Sequence, residues 1–404
     1  MDDNARIALE IPAPNVQNHA SNLAFLPNGD LLCAWFSGTQ EGMSDISIYL
    51  SRLRKGESRW SEPRRMSDDP ERSEQNPVLF PAPDGRLWLL WTSQKAGNQD
   101  SAVVMRRISP DGGESWGPIG KLIETPGTFV RQPIAVAGNG DWLLPVFRCV
   151  PIPGEKWVGD ADYSAVMTSS DGGATWSETP VPGSLGCVHM NIVQLEGERC
   201  IAVFRSRWAD SIYMTRSRDG GKTWERPFPT ALPNNNSSIQ CARLSNGHLA
   251  MVFNKSSAAD ASERRTSLYD EIDDGEAAAP AAQPASAPAA QSASTAAADS
   301  ADADATRGAG DQERRTAFWG APRAPLTIAI SRDGGETWPE TRDLEVGDGF
   351  CMTNNSKDAK NREFSYPSIC QSPDGAIHVS YTYFRQYIKY RRITESWVTG
   401  RAAD

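Results

Sequence analysis

The chain has few of the residues that hold metals or build disulfides. It contains four histidines and seven cysteines in 404 residues, with no Cys-x-x-Cys pair and no closely spaced histidines. An odd, unpatterned set of cysteines is typical of reduced thiols in a cytoplasmic protein. Scattered histidines argue against a structural or catalytic zinc. We therefore expect neither a metal nor another cofactor.

Long apolar runs are also missing. No stretch approaches the ~18 apolar residues of a membrane-spanning helix, and residues 1–10 lack the apolar core of a signal peptide. The formal net charge is -10, and no cluster of Lys or Arg interrupts it. This balance argues against binding to nucleic acid or to an anionic membrane. The sequence predicts a cytoplasmic protein without either partner.

The chain does contain a repeated octapeptide, Ser-x-Asp-Gly-Gly-x-Thr/Ser-Trp, which we call the box. Asp-Gly-Gly suits a chain reversal because glycine adopts backbone angles that other residues avoid, and Asp and Ser can hydrogen-bond within the turn. A β-rich run precedes each copy, so the same hairpin is predicted four times. We expect box residues to serve stability and not chemistry. The copies are 109–116, 169–176, 217–224 and 331–338.

A second periodic element gives the number of units. Six short apolar strands follow turn residues, which predicts an all-β, six-bladed β-propeller of four-stranded antiparallel blades. The boxes start 60, 48 and 114 residues apart, so we expect that one box is missing from the last interval, lost from unit five to an insertion. Residues 51–60 resemble a degraded box of unit one. The six strands are 29–36, 85–91, 140–147, 199–204, 247–253 and 375–381.

One segment differs in composition from the rest. Residues 256–323 are rich in Ala, Pro, Ser and Asp, and 277–309 have almost no large apolar side chains with which to offset the entropy of ordering. We interpret 1–404 as a single propeller domain in which 256–323 are a low-complexity insertion in blade five. Its central part, 277–309, is predicted to be disordered. A tether or partner-binding segment is the alternative.

Polar residues recur at one structural position. In a propeller the innermost strand of each blade runs along the central channel. The segments before the six apolar strands should be these inner strands, yet they are polar. Unpaired buried polar groups cost ~1–3 kcal/mol each, so such a set indicates a functional site at the axis. This ring includes Asn18, His19, Asn76, Arg131, His189, Asn236, Glu363 and Tyr366.

Charged and polar residues at the outgoing ends of the next strands form a second layer. Arginine suits two-point recognition of a carboxylate, so this layer is predicted to contact substrate. Its members are Glu41, Asp45, Arg148, Arg205, Arg207, Lys255, Tyr383, Arg385 and Lys389.

The boxes on a six-unit β chain resemble the Asp boxes of the sialidase (neuraminidase) superfamily, whose repeats are also called BNR repeats. The resemblance covers the chain apart from the insertion and implies a site at the propeller axis. Sialidases use three arginines on the substrate carboxylate, a Tyr nucleophile activated by a Glu, and an Asp acid. The resemblance therefore implies that Tyr366 is the nucleophile, Glu363 its partner and Asp45 the acid. The family's opening Arg-Ile-Pro is replaced by Asn18-His19-Ala20, so a three-arginine clamp is not assigned.

Three functions remain open at this point. The first is a sialidase-like exo-glycosidase that hydrolyses a terminal acidic sugar from a glycan or oligosaccharide. The second is a uronate lyase, in which His19 or His189 and Tyr366 act as acid and base. The third is a propeller that binds an acidic or neutral sugar without catalysis. The predicted substrate-binding residues are Asn18, Glu41, Asn76, Arg131, Arg205, Arg207, Asn236, Tyr383, Arg385 and Lys389.

Overall fold

Six β-sheets surround one axis. A computed structural model describes residues 7–265, 268 and 315–400. Each sheet is one blade, and its strands pair antiparallel from the axis outward. The predicted all-β, six-bladed fold is confirmed. Besides the strands, the described residues contain a 3-10 helix at Ala258–Asp260 and a short helix, α1, at Glu395–Thr399.

The blades use the strands in chain order. Blade one contains β2 (Gln17–Phe25), β3 (Leu31–Gly38), β4 (Ser47–Leu53) and β5 (Arg64–Arg65). Blade two contains β6 (Arg72–Pro81), β7 (Leu87–Lys95), β8 (Asn98–Ser109) and β9 (Gly120–Ile123). Blade three contains β10 (Thr128–Val130), β11 (Ala135–Val136), β12 (Trp142–Arg148), β13 (Tyr163–Ser169) and β14 (Ser177–Pro180). Its inner strand is split because both β10 and β11 pair with β12.

The remaining blades follow the same plan. Blade four contains β15 (Cys187–Gln194), β16 (Cys200–Ser206), β17 (Ser211–Ser217) and β18 (Phe228–Pro233). Blade five contains β19 (Gln240–Arg243), β20 (Leu249–Asn254), β21 (Leu326–Ser331) and β22 (Glu340–Glu345). Blade six contains β23 (Phe364–Gln371), β24 (Ile377–Tyr383), β25 (Tyr387–Ile393) and the N-terminal strand β1 (Ile7–Ile11). The start of the chain thus supplies the outer strand of the last blade, and this pairing closes the ring.

Each box forms the predicted hairpin between the third and fourth strands of its blade. In the first copy, the Ser109 hydroxyl accepts a hydrogen bond from Gly113 N at 2.7 Å, and the Asp111 carboxylate accepts one from Ser115 N at 2.8 Å. Trp116 closes the turn by donating its indole N–H to the Gly113 carbonyl at 3.1 Å. The same three bonds occur in the other copies. Side chains and backbone therefore satisfy each other within the turn.

The predicted loss of a box from unit five was wrong. The box at 331–338 joins β21 to β22, so it belongs to blade five itself. The insertion lies one connection earlier, between β20 and β21, and this added chain accounts for the long interval. Blade six has no box because β25 is followed by α1, while its outer strand comes from the other end of the chain. The segment 277–309 lies outside the described residues.

Packing between blades provides the core. The apolar faces of neighbouring sheets meet in clusters, such as Leu32, Phe36 and Ile48 of blade one against Leu89 and Trp91 of blade two. Each sheet packs on both neighbours, so the six blades need no single large core. In the described part of the chain, no helix is long and apolar enough to cross a membrane.

Candidate active site at the propeller axis

One backbone feature recurs near the axis in five blades. A residue other than glycine has a positive φ there, and in four of the inner strands the pairing register shifts at that residue. Such β-bulges redirect a side chain, and left-handed angles are costly for residues with a Cβ. The five residues are Ala20, Asn76, His189, Asn236 and Tyr366, with φ between 51° and 58°. Three of them, Asn76, His189 and Tyr366, line one cleft.

Tyr366 lies at the centre of this group. Its hydroxyl accepts a hydrogen bond from Arg205 Nη1 at 2.6 Å. Arg205 also donates to Asn236 Oδ1 at 2.7 Å, and its Nη1 lies 3.4 Å from Nε2 of His189. The Tyr366 ring lies 4.2 Å from the ring of His19 and 5.7 Å from that of His189, measured between centroids. Side chains from blades one, four, five and six thus meet around one phenol.

Two buried arginines near Tyr366 have no carboxylate partner among the described residues. One is Arg205; the other is Arg131, whose guanidinium carbon lies 5.3 Å from the centre of the Tyr366 ring. Arg131 uses its donors on the carbonyls of Ser21, Tyr366 and Pro367 and on the Ser238 hydroxyl. Burial lowers the pKa of both guanidinium groups to about 10, so both stay charged at neutral pH. Negative charge that develops at Tyr366 would be stabilised by these cations.

Glu363 is occupied by other partners. It forms an ion pair with Arg323 at 2.7 Å and a second with Arg385, which in turn pairs with Glu41 at 2.7 Å. Burial alone would raise the pKa of Glu363, but the two arginines outweigh it and lower that pKa. Glu363 is therefore a carboxylate engaged through both oxygens. No hydrogen bond joins it to the Tyr366 hydroxyl, although both residues are described.

The two axial histidines are neutral. Burial lowers the pKa of His19 and of His189 well below the usual value, and nearby arginines lower both further, Arg385 acting most on His19 and Arg205 most on His189. His19 Nδ1 lies 2.8 Å from the Thr382 hydroxyl. His19 Nε2 and His189 Nδ1 are buried without a hydrogen-bond partner among the described residues. A neutral imidazole beside a phenol can accept a proton.

A narrow cleft lies above Tyr366. The centre of a water molecule has about 10 Å³ in which to move there, which is room for about one water. Aromatic side chains and one leucine form part of its wall, and amide, imidazole, guanidinium and carboxylate groups form the rest. The lining residues are Glu41, Gln75, Asn76, Gln99, Phe129, Phe147, His189, Arg205, Arg207, Leu268 and Tyr366.

Comparison with known proteins adds the family. The model of the BNR repeat-like domain matches residues 29–379. The chain belongs to the BNR repeat-like family. A search of curated proteins finds no match.

Solved structures show the same fold as this BNR repeat-like chain. A protein of unknown function from Dyadobacter fermentans is 14% identical, with 96% of this chain and 98% of that chain covered and a TM-score of 0.64. The intramolecular trans-sialidase from Ruminococcus gnavus is 13% identical, with 99% of each chain covered and a TM-score of 0.62. The NanB sialidase from Streptococcus pneumoniae is 12% identical, with 97% of this chain and 70% of that chain covered and a TM-score of 0.63. At these identities the likeness shows the fold alone, and the resemblance to the sialidase superfamily is confirmed at that level.

Several predicted site residues of the BNR repeat-like propeller do not line the cleft. The exposed Asp45 carboxylate accepts hydrogen bonds from Thr39 of its own loop, at 2.9 Å from N and 3.0 Å from the hydroxyl. Asn18 accepts a bond from the indole N–H of Trp35, and it donates to two backbone carbonyls. Both side chains are therefore engaged away from the residues that line the cleft.

Blade six also keeps two predicted residues away from the cleft. Tyr383 stacks on Tyr387, with centroids 4.9 Å apart, and Lys389 Nζ bonds to Glu345 at 2.6 Å. Neither side chain lies among those that line the cleft. The structure thus separates these two from the group around Tyr366.

Sequence reasoning missed other residues at the site. Arg323, at the end of the insertion, pairs with Glu363 and lies 5.5 Å from the Tyr366 ring. Gln99, Phe129, Phe147 and Leu268 line the cleft. Most of these residues lie at strand ends or in loops, where the alternation of polar and apolar residues does not indicate which side chains face the axis. For Arg323, the return of ordinary composition after the low-complexity segment was the only signal.

The cleft is not the largest concavity of the molecule. A groove of about 570 Å³ lies at the box end of blades four and five. Its arginines are paired with glutamates, as Arg216 is with Glu336 at 2.6 Å and Arg218 with Glu225 at 3.3 Å. No residue of the polar ring lines it. Size alone therefore does not choose the candidate site, and the convergence of groups with shifted pKa values makes the axis the candidate.

Proposed function

We propose that this chain is a carbohydrate-active enzyme that cleaves an acidic sugar by elimination, with Tyr366 and His189 as its proton-transfer pair. One observation carries the proposal: the Tyr366 hydroxyl, Arg205 and neutral His189 form one buried group without a carboxylate. Elimination beside a carboxylate needs a base, an acid and a cation, and these residue types supply all three.

The proposed steps follow from the states of these groups. Neutral His189 takes the proton from the carbon next to the sugar carboxylate. The electron pair left on that carbon forms a double bond as the bond to the leaving oxygen breaks, and Tyr366 gives that oxygen its proton. Arg205 and Asn76 line the cleft, and in this proposal they stabilise charge on the sugar carboxylate. The product is an unsaturated acidic sugar.

Hydrolysis with Tyr366 as the nucleophile is the second candidate. It is favoured by the two unpaired cations around Tyr366, since a tyrosine nucleophile needs stabilisation of its negative charge. The other two groups that this hydrolysis needs, a carboxylate partner for Tyr366 and an acid, are less well supported. Glu363 is held by Arg323 and Arg385, and Asp45 is hydrogen-bonded within its own loop.

A substrate panel distinguishes the candidates. The purified protein is incubated with fluorogenic sialosides and uronosides and with uronate-containing oligosaccharides. Elimination predicts a product with the ultraviolet absorbance of a conjugated, unsaturated uronate. Hydrolysis predicts sugar release without that absorbance. If the folded protein binds glycans but turns over none of them, the third function, binding without catalysis, replaces both.

The state of the cysteines bears on location. All seven are unpaired, and six are buried. Reduced thiols support the proposed cytoplasmic location, which would favour a small imported oligosaccharide over a polymer as substrate. Cell fractionation with a tagged chain tests this, and recovery outside the cytoplasm would contradict it.

A further inference from the structure

The described ends of the blade-five insertion meet above the axial site. We call residues 261–265 with 268 the first arm and residues 315–323 the second arm, and the two together the roof. The arms are joined by a backbone hydrogen bond from Arg265 N to the Trp319 carbonyl at 3.1 Å. Arg264 also donates to the Ala317 carbonyl at 2.8 Å. The roof is thus one unit, although its arms are distant in sequence.

Trp319 places the second arm on the site arginines. The guanidinium carbon of Arg205 lies 5.6 Å from the Trp319 ring centre, and that of Arg207 lies 5.1 Å from it. The indole N–H donates to the Val158 carbonyl at 3.0 Å. The neighbouring Phe318 carbonyl accepts a bond from Asn236 Nδ2 at 2.8 Å. The second arm therefore contacts the same side chains that surround Tyr366.

The first arm covers the cleft from the other side. Leu268 is among the residues that line it. The Leu268 carbonyl accepts hydrogen bonds from Arg265 Nη2 at 2.9 Å and from Asn354 Nδ2 at 2.6 Å. Leu268 and Trp319 also share a small apolar cluster, against which Met43 of blade one packs. The roof therefore spans from blade one to blade four across the axis.

A sugar cannot reach Tyr366 while the roof is in this position. Tyr366 is 5% exposed and Arg205 2%, and the cleft has room for about one water. The rest of the lining comes mostly from paired strands of the blades, such as those that carry Phe129, Phe147 and Tyr366. Two further lining residues, Glu41 and Arg207, lie in loops.

The roof has no continuous strand pairing with the blades in the part of the chain that the structure describes. Its second arm is anchored at one end by the ion pair of Arg323 with Glu363, and elsewhere it is held by side-chain contacts and separate hydrogen bonds such as that from Phe318 N to the Arg207 carbonyl at 2.8 Å. Segments held in this way open at a lower free energy than paired strands.

We propose that the roof must lift to admit substrate and that Trp319 is the contact that holds it down. The part concerning substrate rests on the proposed function. The part concerning opening does not, because it can be measured without turnover.

Cys351 reports on the opening. It is buried, and its Sγ lies 3.2 Å from the Ala321 carbonyl of the second arm. We expect Trp319→Ala to speed labelling of Cys351 by a thiol reagent about tenfold, with Trp319→Phe in between. Cys370, in β23, should keep its labelling rate. The matched control is Trp397→Ala, since Trp397 also packs under an arginine, Arg342, but at the C-terminal helix.

The labelling and turnover results separate the two claims. Site-resolved labelling at the parent rate in folded Trp319→Ala overturns the roof, whatever the activity. Faster labelling of Trp319→Ala, together with a parent that turns over no substrate, supports the roof and removes the proposed function.

Discussion

Tyr366 has an uncommon backbone conformation, and its buried hydroxyl accepts a hydrogen bond from a cation, Arg205. Its φ is 51°, which is unfavourable for an aromatic residue, and the bulge in β23 maintains it. Strained backbone conformations of this kind occur where the surrounding structure holds a side chain in one orientation. The ring of Tyr366 packs in the apolar cluster of blades one and two, and its hydroxyl is directed at Arg205. This residue is where both candidate reactions would act.

Removal of the Tyr366 hydroxyl should abolish either reaction. Tyr366→Phe loses the proton donor of the elimination and the nucleophile of the hydrolysis, so we expect turnover to fall by ~10²–10⁴-fold. The measurement is the initial rate on any substrate found active. Tyr383→Phe is the control, because Tyr383 lies outside the cleft lining and should keep the parent rate. Parent-like turnover in Tyr366→Phe would reject both mechanisms.

His189 separates the two reactions. In the elimination it accepts a proton, so His189→Gln should lower kcat by ~10²-fold or more while KM changes little. A hydrolysis that uses Tyr366 as nucleophile needs no base at this position and should change far less. Steady-state kinetics on the same substrate measure the difference. An unchanged kcat would count for hydrolysis and against elimination.

Glu363 is predicted to matter for stability first. Glu363→Gln leaves Arg323 without its carboxylate in a buried position, and breaking a buried ion pair costs ~3–5 kcal/mol. Urea unfolding at neutral pH measures the loss. The matched control, Glu124→Gln, removes an exposed partner of Lys121 and should change the free energy of unfolding by less than ~0.5 kcal/mol. Similar values for both variants would show that the Glu363 pair adds nothing.

At the scale of the element, the two glycines of a box have different tasks. Gly172 and Gly173 both have positive φ, 71° and 86°. A Cβ at Gly172 would meet no atom within 4 Å, whereas one at Gly173 would lie 2.6 Å from the ring of Trp88 in the preceding blade. The first glycine therefore serves the turn alone. The second also allows the hairpin to approach the next sheet.

This difference predicts unequal effects of alanine. Gly172→Ala should lose ~1–2 kcal/mol through backbone strain alone. Gly173→Ala adds overpacking against Trp88, so we expect a further ~1–3 kcal/mol. The free energies of unfolding of the two variants, measured side by side, give the difference. Equal losses would mean that the close approach to Trp88 carries no cost.

The sequence predicted the elements that have a local signal. The boxes predicted four hairpins because Asp-Gly-Gly determines a turn whatever surrounds it. The apolar strands predicted the inner-strand positions of His19, His189 and Tyr366. Spacing alone could not place the insertion, because extra chain between β20 and β21 lengthens an interval just as a lost box would. The left-handed angles at Asn76 and His189 had no signal either, since they depend on pairing with the next strand.

At the scale of the molecule, contacts across the axis join parts that are far apart in the chain. Arg131 of blade three donates to Ser21 of blade one, to Tyr366 of blade six and to Ser238 of blade five. The pairing of β1 with β25 closes the ring. The sequence predicted Arg131 as a substrate-binding residue, but its bonded donors contact protein atoms. A charge without a carboxylate partner thus sits beneath Tyr366 and connects four blades.

Buried titratable groups should make the stability of the whole molecule depend on pH. Burial lowers the pKa of His19, His189 and His378 in the folded chain, that of His378 to about 4. As the pH falls below 6.5, the unfolded chain therefore binds protons that the folded chain does not, and the free energy of unfolding decreases. Glu74 acts in the opposite direction. Burial raises its pKa to about 7 from 4.5, so its contribution is lost as the pH rises through this range.

The two effects can be separated by substitution. Each group that changes its protonation on unfolding changes the free energy of unfolding by ~1.4 kcal/mol per pH unit. Between pH about 5 and 6 the three histidines act in one direction and Glu74 in the other, so the free energy of unfolding should fall by about 2–3 kcal/mol for each pH unit of acidification. Glu74→Gln removes the opposing group, so the slope should steepen by about one such step and the variant should gain stability above neutral pH. His378→Gln should make the slope shallower by about one step. Urea unfolding at several pH values measures all three proteins, and parallel slopes would show that these buried groups do not govern the pH dependence.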